Sequence, residues 1–263
     1  MYPFTLERPT TAAQAAQLAS QGARPLAGGQ TLLAAMKQRL LNPGVLADLS
    51  KITEWRGMAR EGQAFRIGAM ARHHEVADHA GLIASIPALA ELAGGIGDMQ
   101  VRAVGTLGGS LANNDPAACY PSAALALGAT IHTTQRQIAA DDFFTGMFST
   151  ALQEDELITA VSFPVPKRAA YVKFKQQASR FALVGVFVAQ TESGARVAIT
   201  GAGYGVFRHK AMEQALSANF SAQAAAGVST DPGELSSDLH GSNEYRAHLI
   251  GVLTQQAVVK ALA

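Results

Sequence analysis

The sequence predicts an α+β chain with a two-part N-terminal domain over residues 1–165, then an antiparallel sheet and a helix bundle over 166–263. Three observations point there. The opening segments alternate between strand-like and helix-like patterns around Gly and Pro breaks. From Met58 the texture changes to short alternating strands and short helices, dividing the first domain at about residue 55. Pro164-Val165-Pro166 then closes a strand, and the apolar runs beyond it give way to helical periodicity.

Each element has its reason. Thr10 or Thr11 can cap an Ala- and Gln-rich helix that runs to Ser20 and stops at Gly22. A strand at Arg24–Ala27 enters Gly28-Gly29, and a helix at Leu32–Leu40 ends before Asn42-Pro43-Gly44. A second strand follows at Val45–Leu49. Strand, helix and strand over this length imply a parallel pair with a right-handed crossover. Ala27–Thr31 then sits between a strand end and a helix start, where unpaired N–H groups favour an anion. Ala64–Gly68 reads as a strand. Arg72–His79 and Leu82–Ala93 read as helices, the second interrupted near its start by Pro87 and ended by the glycines at 94, 95 and 97. Ser122–Leu127 is helical, Ala129–Thr134 extended, Asp141–Phe144 a helical turn and Glu156–Phe163 a strand. Tyr171–Gln176, Leu183–Gln190 and Arg196–Gly201 suit a meander, and His209–Ala218, Ser221–Ala226 and Asn243–Leu262 suit helices.

Composition narrows the function classes. With 48% hydrophobic and 16% charged residues the 263-residue chain can bury a large core. A net charge of +1 gives no electrostatic case for nucleic acid. The single cysteine, Cys119, excludes an internal disulfide and any cysteine-ligated cluster built from this chain alone. The start has no basic region followed by an apolar one, and no apolar run approaches the roughly 20 residues of a membrane helix. These features lead us to expect a cytoplasmic protein, with peripheral association at the inner face of the membrane left open.

Two glycine loops concentrate the small polar residues. Ala27-Gly28-Gly29-Gln30-Thr31 is the first. Thr106-Leu107-Gly108-Gly109-Ser110, followed by Asn113, Asn114 and Asp115-Pro116, is the second. Glycine pairs allow a sharp turn and close approach of backbone N–H groups to a ligand. Read from composition alone, both loops are equally consistent with ordinary tight turns. Gly201, Gly203 and Gly205 lack the third glycine of a dinucleotide fingerprint and read as a strand-to-helix turn. Among His73, His74, His79, Glu75 and Asp78, His74 and Asp78 are four apart and share a helix face, but no third ligand is evident nearby, so a polar helix face is the reading and no metal is expected. Arg102 is either a phosphate contact or a surface residue.

The strings AGGQTLL and VRAVGTLGGSLANNDPAA resemble the FAD-binding medium subunit of molybdenum hydroxylases, the carbon monoxide dehydrogenase and xanthine dehydrogenase family. Phe4, Arg8 and Pro9, the segment AMARHHEVADH, FKQQASRFALVGV and DLHGSNEYRAHLIGVL extend the resemblance over nearly the whole chain. It implies a two-subdomain FAD-binding domain of the vanillyl-alcohol-oxidase-like (PCMH) type. Leu26, Ala27, Gly28, Gly29, Gln30, Thr31, Leu32 and Leu33 would wrap the FAD diphosphate. Thr106, Leu107, Gly108, Gly109 and Ser110 would bind it from the other side, near the flavin. Ile96 and Ile158 match apolar positions against the cofactor, and Lys175 matches a lysine that bonds or tunes the flavin. Cys119 stands where the family usually has an acidic residue, leaving Asn114 and Asp115 as alternative acceptors; Phe181 stands where many relatives have tyrosine. No catalytic side chain is implied. The resemblance further implies a large molybdopterin subunit and a small subunit with [2Fe-2S] clusters as partners, arranged as a dimer of heterotrimers. A stand-alone flavin oxidoreductase of the same fold is the alternative.

Overall fold

The computed structural model describes residues 1–263. It opens with β1 (Thr5–Glu7), α1 (Ala12–Ser20), β2 (Arg24–Leu26), α2 (Leu32–Lys37) and β3 (Val45–Asp48). The strands form a parallel sheet in the order β1-β3-β2. Thr11 caps α1 by accepting the Gln14 N–H at 3.3 Å. β1 was not expected: all three of its residues are exposed, so it carries no alternation to read. α2 stops short of the expected Leu40. Arg39 turns left-handed at φ 61°, and the N–H groups of Arg39 and Leu40 fold back onto Met36 and Ala35, closing the helix.

The second part comprises β4 (Met58–Glu61), β5 (Ala64–Gly68), α3 (His73–Asp78), α4 (Ala80–Ser85), α5 (Pro87–Gly94), α6 (Met99–Val104), α7 (Leu107–Asn113), α8 (Tyr120–Leu127), β6 (Thr130–Thr133), β7 (Gln137–Ala139), α9 (Ala140–Phe143), β8 (Phe144–Gly146), β9 (Ser149–Thr150) and β10 (Ile158–Pro164). An antiparallel sheet runs β4-β5-β10-β6-β7, and β8 and β9 pair as a small hairpin. Pro87 begins α5 instead of interrupting a longer helix; its missing N–H costs nothing at that position.

The remainder is a four-stranded antiparallel meander, β11 (Arg168–Lys175), β12 (Ala182–Thr191), β13 (Gly194–Thr200) and β14 (Phe207–Arg208), with α10 (Lys210–Ala218), α11 (Ala222–Ala226) and α12 (Asn243–Leu262). Both faces of this sheet are covered. Tyr171, Phe187, Ala189 and Ala198 join a core shared with the five-stranded sheet and α8. Val184, Val186, Val188, Val197 and Ile199 face a second core with α10, α11 and α12. Double burial explains why β12 is an unbroken apolar run rather than an alternating one. Arg246, only 3% exposed, donates to the carbonyls of Leu183 and Gly201 and pairs with Asp238, fastening α12 to the sheet. The Gly201–Gly205 segment joins β13 to β14, so it is a strand-to-strand connection and not the expected strand-to-helix turn. Gly201, at φ 81°, donates to the Pro116 carbonyl at 2.7 Å.

Candidate functional site

A cavity of about 890 Å³ lies where the three parts meet. That is within the range of sites that bury a large cofactor. Its walls include the Ala27–Leu32 loop, Ile96 and Gly97, the start of α7, the 148–158 segment, and Lys173 with the Ser179–Phe181 turn.

The first loop carries its donors unspent. None of the backbone N–H groups of Gly28, Gly29, Gln30 and Thr31 donates a hydrogen bond within the chain. Gly29 adopts φ 67°, which glycine tolerates freely, and the Leu26 and Leu33 side chains pack beneath it. A Cβ on Gly28 would run into the Val104 carbonyl and lie 2.6 Å from the Gly105 Cα. The first loop therefore rests backbone against backbone on the residues that lead into the second.

The second loop differs from the expected sharp turn. Gly108 and Gly109 occupy the first turn of α7, capped by Thr106, whose hydroxyl accepts the Gly109 N–H at 3.2 Å. Leu107 donates to Ala71, Gly108 to Ala69, and Ser110 to Thr106, so the N–H groups of this turn are consumed inside the fold. The glycines serve close approach. A Cβ on Gly108 would lie 2.7 Å from the Ala69 Cβ, and one on Gly109 would lie 3.5 Å from that of Ala27. The Ser110 and Asn113 side chains remain at the cavity wall.

Three cations hold the loop that carries Ile96. Lys173 donates to Gly95 O at 2.8 Å, Arg102 to Ile96 O at 3.0 Å and Gly97 O at 3.1 Å, and Arg180 to Gly97 O at 3.4 Å. Arg102 is thus a backbone staple. Lys173 also reaches the Cys119 Sγ at 3.3 Å and the Arg180 carbonyl at 3.0 Å. Cys119 is buried and lines the cavity. His73 lines it too, 5% exposed, with its Nδ1 unpartnered. Burial, aided by Arg102 and His74, pushes His73 down to about 4, so the ring is neutral near pH 7. His74 bonds the Arg102 carbonyl through Nδ1, and the Nδ1 of His79 accepts the Leu82 N–H. Glu156, also a lining residue, is held below the usual carboxylate range: burial alone would raise it, but bonds from Arg136, Thr133 and Gln153 more than offset that.

Of the residues singled out from the sequence, Ala27, Gly28, Gly29, Gln30, Thr31, Leu32, Ile96, Thr106, Gly108, Gly109, Ser110, Asp115, Cys119, Ile158 and Phe181 come together around the cavity. Five do not line it. Leu26 and Leu33 lie under Gly29, and Leu107 is fully buried in the core. Asn114 is buried off the wall, its Nδ2 donating to Gly146 O at 2.9 Å and Ser149 O at 2.7 Å and its Oδ1 without a partner. Lys175 is exposed, because a bulge after Phe174 breaks the alternation of β11; Lys173 holds the cavity position instead. Asp115 lines the wall with one oxygen already accepting from Ala117. Lys173, His73 and Phe148 were missed from the sequence, where nothing separated them from ordinary strand, helix and turn residues.

Known proteins resemble the chain over nearly its whole length. The model of the FAD binding domain in molybdopterin dehydrogenase matches residues 2–166. The chain belongs to this family. The carbon monoxide dehydrogenase medium chain of Afipia carboxidovorans is 33% identical to this flavoprotein, over 99% of this chain and 97% of that one. The nicotine 6-hydroxylase medium subunit of Paenarthrobacter nicotinovorans is 32% identical, over 90% and 88%. Among solved structures, carbon monoxide dehydrogenase from Hydrogenophaga pseudoflava superposes with a TM-score of 0.88 at 30% identity, covering 100% of this chain and 99% of that one. Quinoline 2-oxidoreductase from Pseudomonas putida 86 gives 0.89 at 26% identity, over 99% and 97%. The α+β architecture and the FAD-binding class of this dehydrogenase subunit are therefore established. No helix is long and apolar enough to cross a membrane.

Proposed function

We propose that this chain is the FAD-carrying electron-transfer subunit of a molybdenum hydroxylase, receiving electrons from partner [2Fe-2S] clusters and passing them to an external acceptor. The observation that carries the reading is the run of undonated N–H groups from Gly28 to Thr31 at the wall of a cavity large enough for a dinucleotide. Four adjacent donors without internal partners suit a diphosphate, since bonds to a charged acceptor are the strong ones. His73, another lining residue, has a buried and unpartnered Nδ1, a further polar atom in need of a partner.

Bound there, the flavin supplies reversible acceptance of electrons. The protein's residues supply position and field. Gly28–Thr31 hold the diphosphate, Ile96 and Ile158 exclude water, and Lys173 takes the role first expected of Lys175, placing a cation beside the cofactor. Cys119 accepts from Lys173 and so fixes the direction of the ammonium group. Residues 1–165 form the flavin domain, in parts 1–55 and 56–165, and 166–263 form the closing domain that brings Lys173, Arg180 and Phe181. A large molybdopterin subunit and a small [2Fe-2S] subunit complete the enzyme, as a cytoplasmic dimer of heterotrimers.

Affinity purification from the native cell tests the assembly. The chain should bring down a molybdenum-containing large chain and an iron–sulfur small chain. Isolation as a solitary flavoprotein that oxidises a substrate unaided would overturn the reading in favour of a stand-alone oxidoreductase.

A further inference from the structure

The β8–β9 hairpin ends in Met147-Phe148, both exposed, with Phe148 at the cavity wall. Phe148 adopts φ 51°, a conformation that a bulky residue takes only where its surroundings impose it. Of the two loop residues only the second has a positive φ, and a turn of that kind ordinarily takes Gly or Asn there. Here Gly146 lies just before the turn, and a phenylalanine fills the strained position.

The imposing contacts come from Asn114, itself 1% exposed and left-handed at the end of α7. Its carbonyl accepts the Phe148 N–H at 3.1 Å, and its Nδ2 binds the carbonyls of Gly146 at 2.9 Å and Ser149 at 2.7 Å. The Thr145 and Ser149 hydroxyls pair at 2.8 Å across the base of the turn. The backbone of the tip is thus fixed to the end of the helix that carries Gly108 and Gly109, while Phe148 stays 56% exposed at the cavity wall. A fixed backbone and an uncovered aromatic ring at the cavity wall make a platform for a second ring, since little freedom is left to lose on stacking.

We propose that Phe148 is an aromatic clamp for the adenine of FAD, an inference that rests on the flavin reading given above. A dinucleotide flavin offers two ring systems. The isoalloxazine gains negative charge on reduction and is favoured beside Lys173. Adenine then takes the wall built by residues 148–158, where Phe148, Leu152, Leu157 and Ile158 offer apolar surface for its faces and Ser149, Thr150 and Gln153 offer polar groups for its edge.

The test is a titration of the purified full-length chain and its Phe148→Asn variant with FAD, followed by flavin fluorescence, and with ADP as a competitor. Asparagine suits the left-handed position, so the variant keeps the turn and loses only the ring; circular dichroism and the melting temperature, equal to or above wild type, verify this. Phe148→Tyr, which keeps a ring, should restore wild-type affinity. Base–aromatic stacking predicts about 5- to 100-fold weaker binding of both FAD and ADP to the Asn variant. Unchanged FAD affinity would overturn the clamp. Weakened FAD with unchanged ADP, or wild-type protein in which millimolar ADP fails to compete, would overturn the adenine seat. A wild-type chain that binds neither compound would refute the flavin reading itself, a separate outcome.

Discussion

Replacing Gly28 with alanine forces a Cβ against the Val104 carbonyl and to within 2.6 Å of the Gly105 Cα. Ordinary contact begins at 3.4 Å, so the two backbones must part by at least about 0.8 Å to clear the Gly105 Cα, and by more to clear the nearer Val104 carbonyl. Neither neighbour is a flexible side-chain end that could swing aside. Val104 closes α6, and Gly105 is pinned through its carbonyl to His73 N–H at 2.9 Å. Overpacking of this kind costs about 1–3 kcal/mol, which for a chain of this size lowers the melting temperature by about 3–10 °C. The displacement also moves two of the four free donors, and losing one or two bonds to a charged group weakens FAD about 10- to 100-fold or more. Thermal unfolding and a flavin-fluorescence titration of the full-length variant read both quantities. Gly44→Ala is the control, because a Cβ there meets nothing within 4 Å. Gly28→Ala with wild-type melting and wild-type FAD affinity would refute the backbone-to-backbone contact and the donor cradle together.

Further expectations concern the rest of the site and its support. Lys173→Met should weaken FAD about tenfold and lower the flavin midpoint potential, measured by spectroelectrochemistry, whereas Lys175→Met should change neither; equal effects would remove the distinction between them. Arg246→Met leaves the Leu183 and Gly201 carbonyls without their donor, and should cost about 3–5 kcal/mol in urea unfolding. His73 has its native value depressed to about 4 from 6.5, so its contribution to stability is full above 6.5 and is lost as pH falls toward 4. Within that window the slope is up to about 1.4 kcal/mol per pH unit. His73→Asn should flatten it, and an unchanged slope in pH-dependent unfolding would show that another group is responsible.

The legible features were those whose cause is local. The Thr11 cap, the bounds of α12, the Gly-Gly position after β2 and the apolar run of β12 each follow from a few neighbouring residues. What was missed depends on partners far along the chain. The bulge that moves Lys175 out and leaves Lys173 in is set by pairing with β12, and alternation alone treats both lysines as residues of one face. Gly108-Gly109 read as a turn because glycine disfavours helices; bonds to Ala69 and Ala71 and the Thr106 cap hold them in one. Asn114 read as a cofactor acceptor, but its Nδ2 found backbone carbonyls 32 and 35 residues away and its unpartnered Oδ1 lies buried off the cavity wall. His73 and Phe148 carry no sequence signal of their own, because only the fold places them at the cavity.

The most direct measurement is an experimental structure of the chain with FAD. The account predicts the diphosphate within hydrogen-bonding distance of the Gly28–Thr31 N–H groups, with no comparable bonds from the N–H groups of Leu107–Ser110. A diphosphate held elsewhere, or bound mainly by the α7 turn, would contradict it.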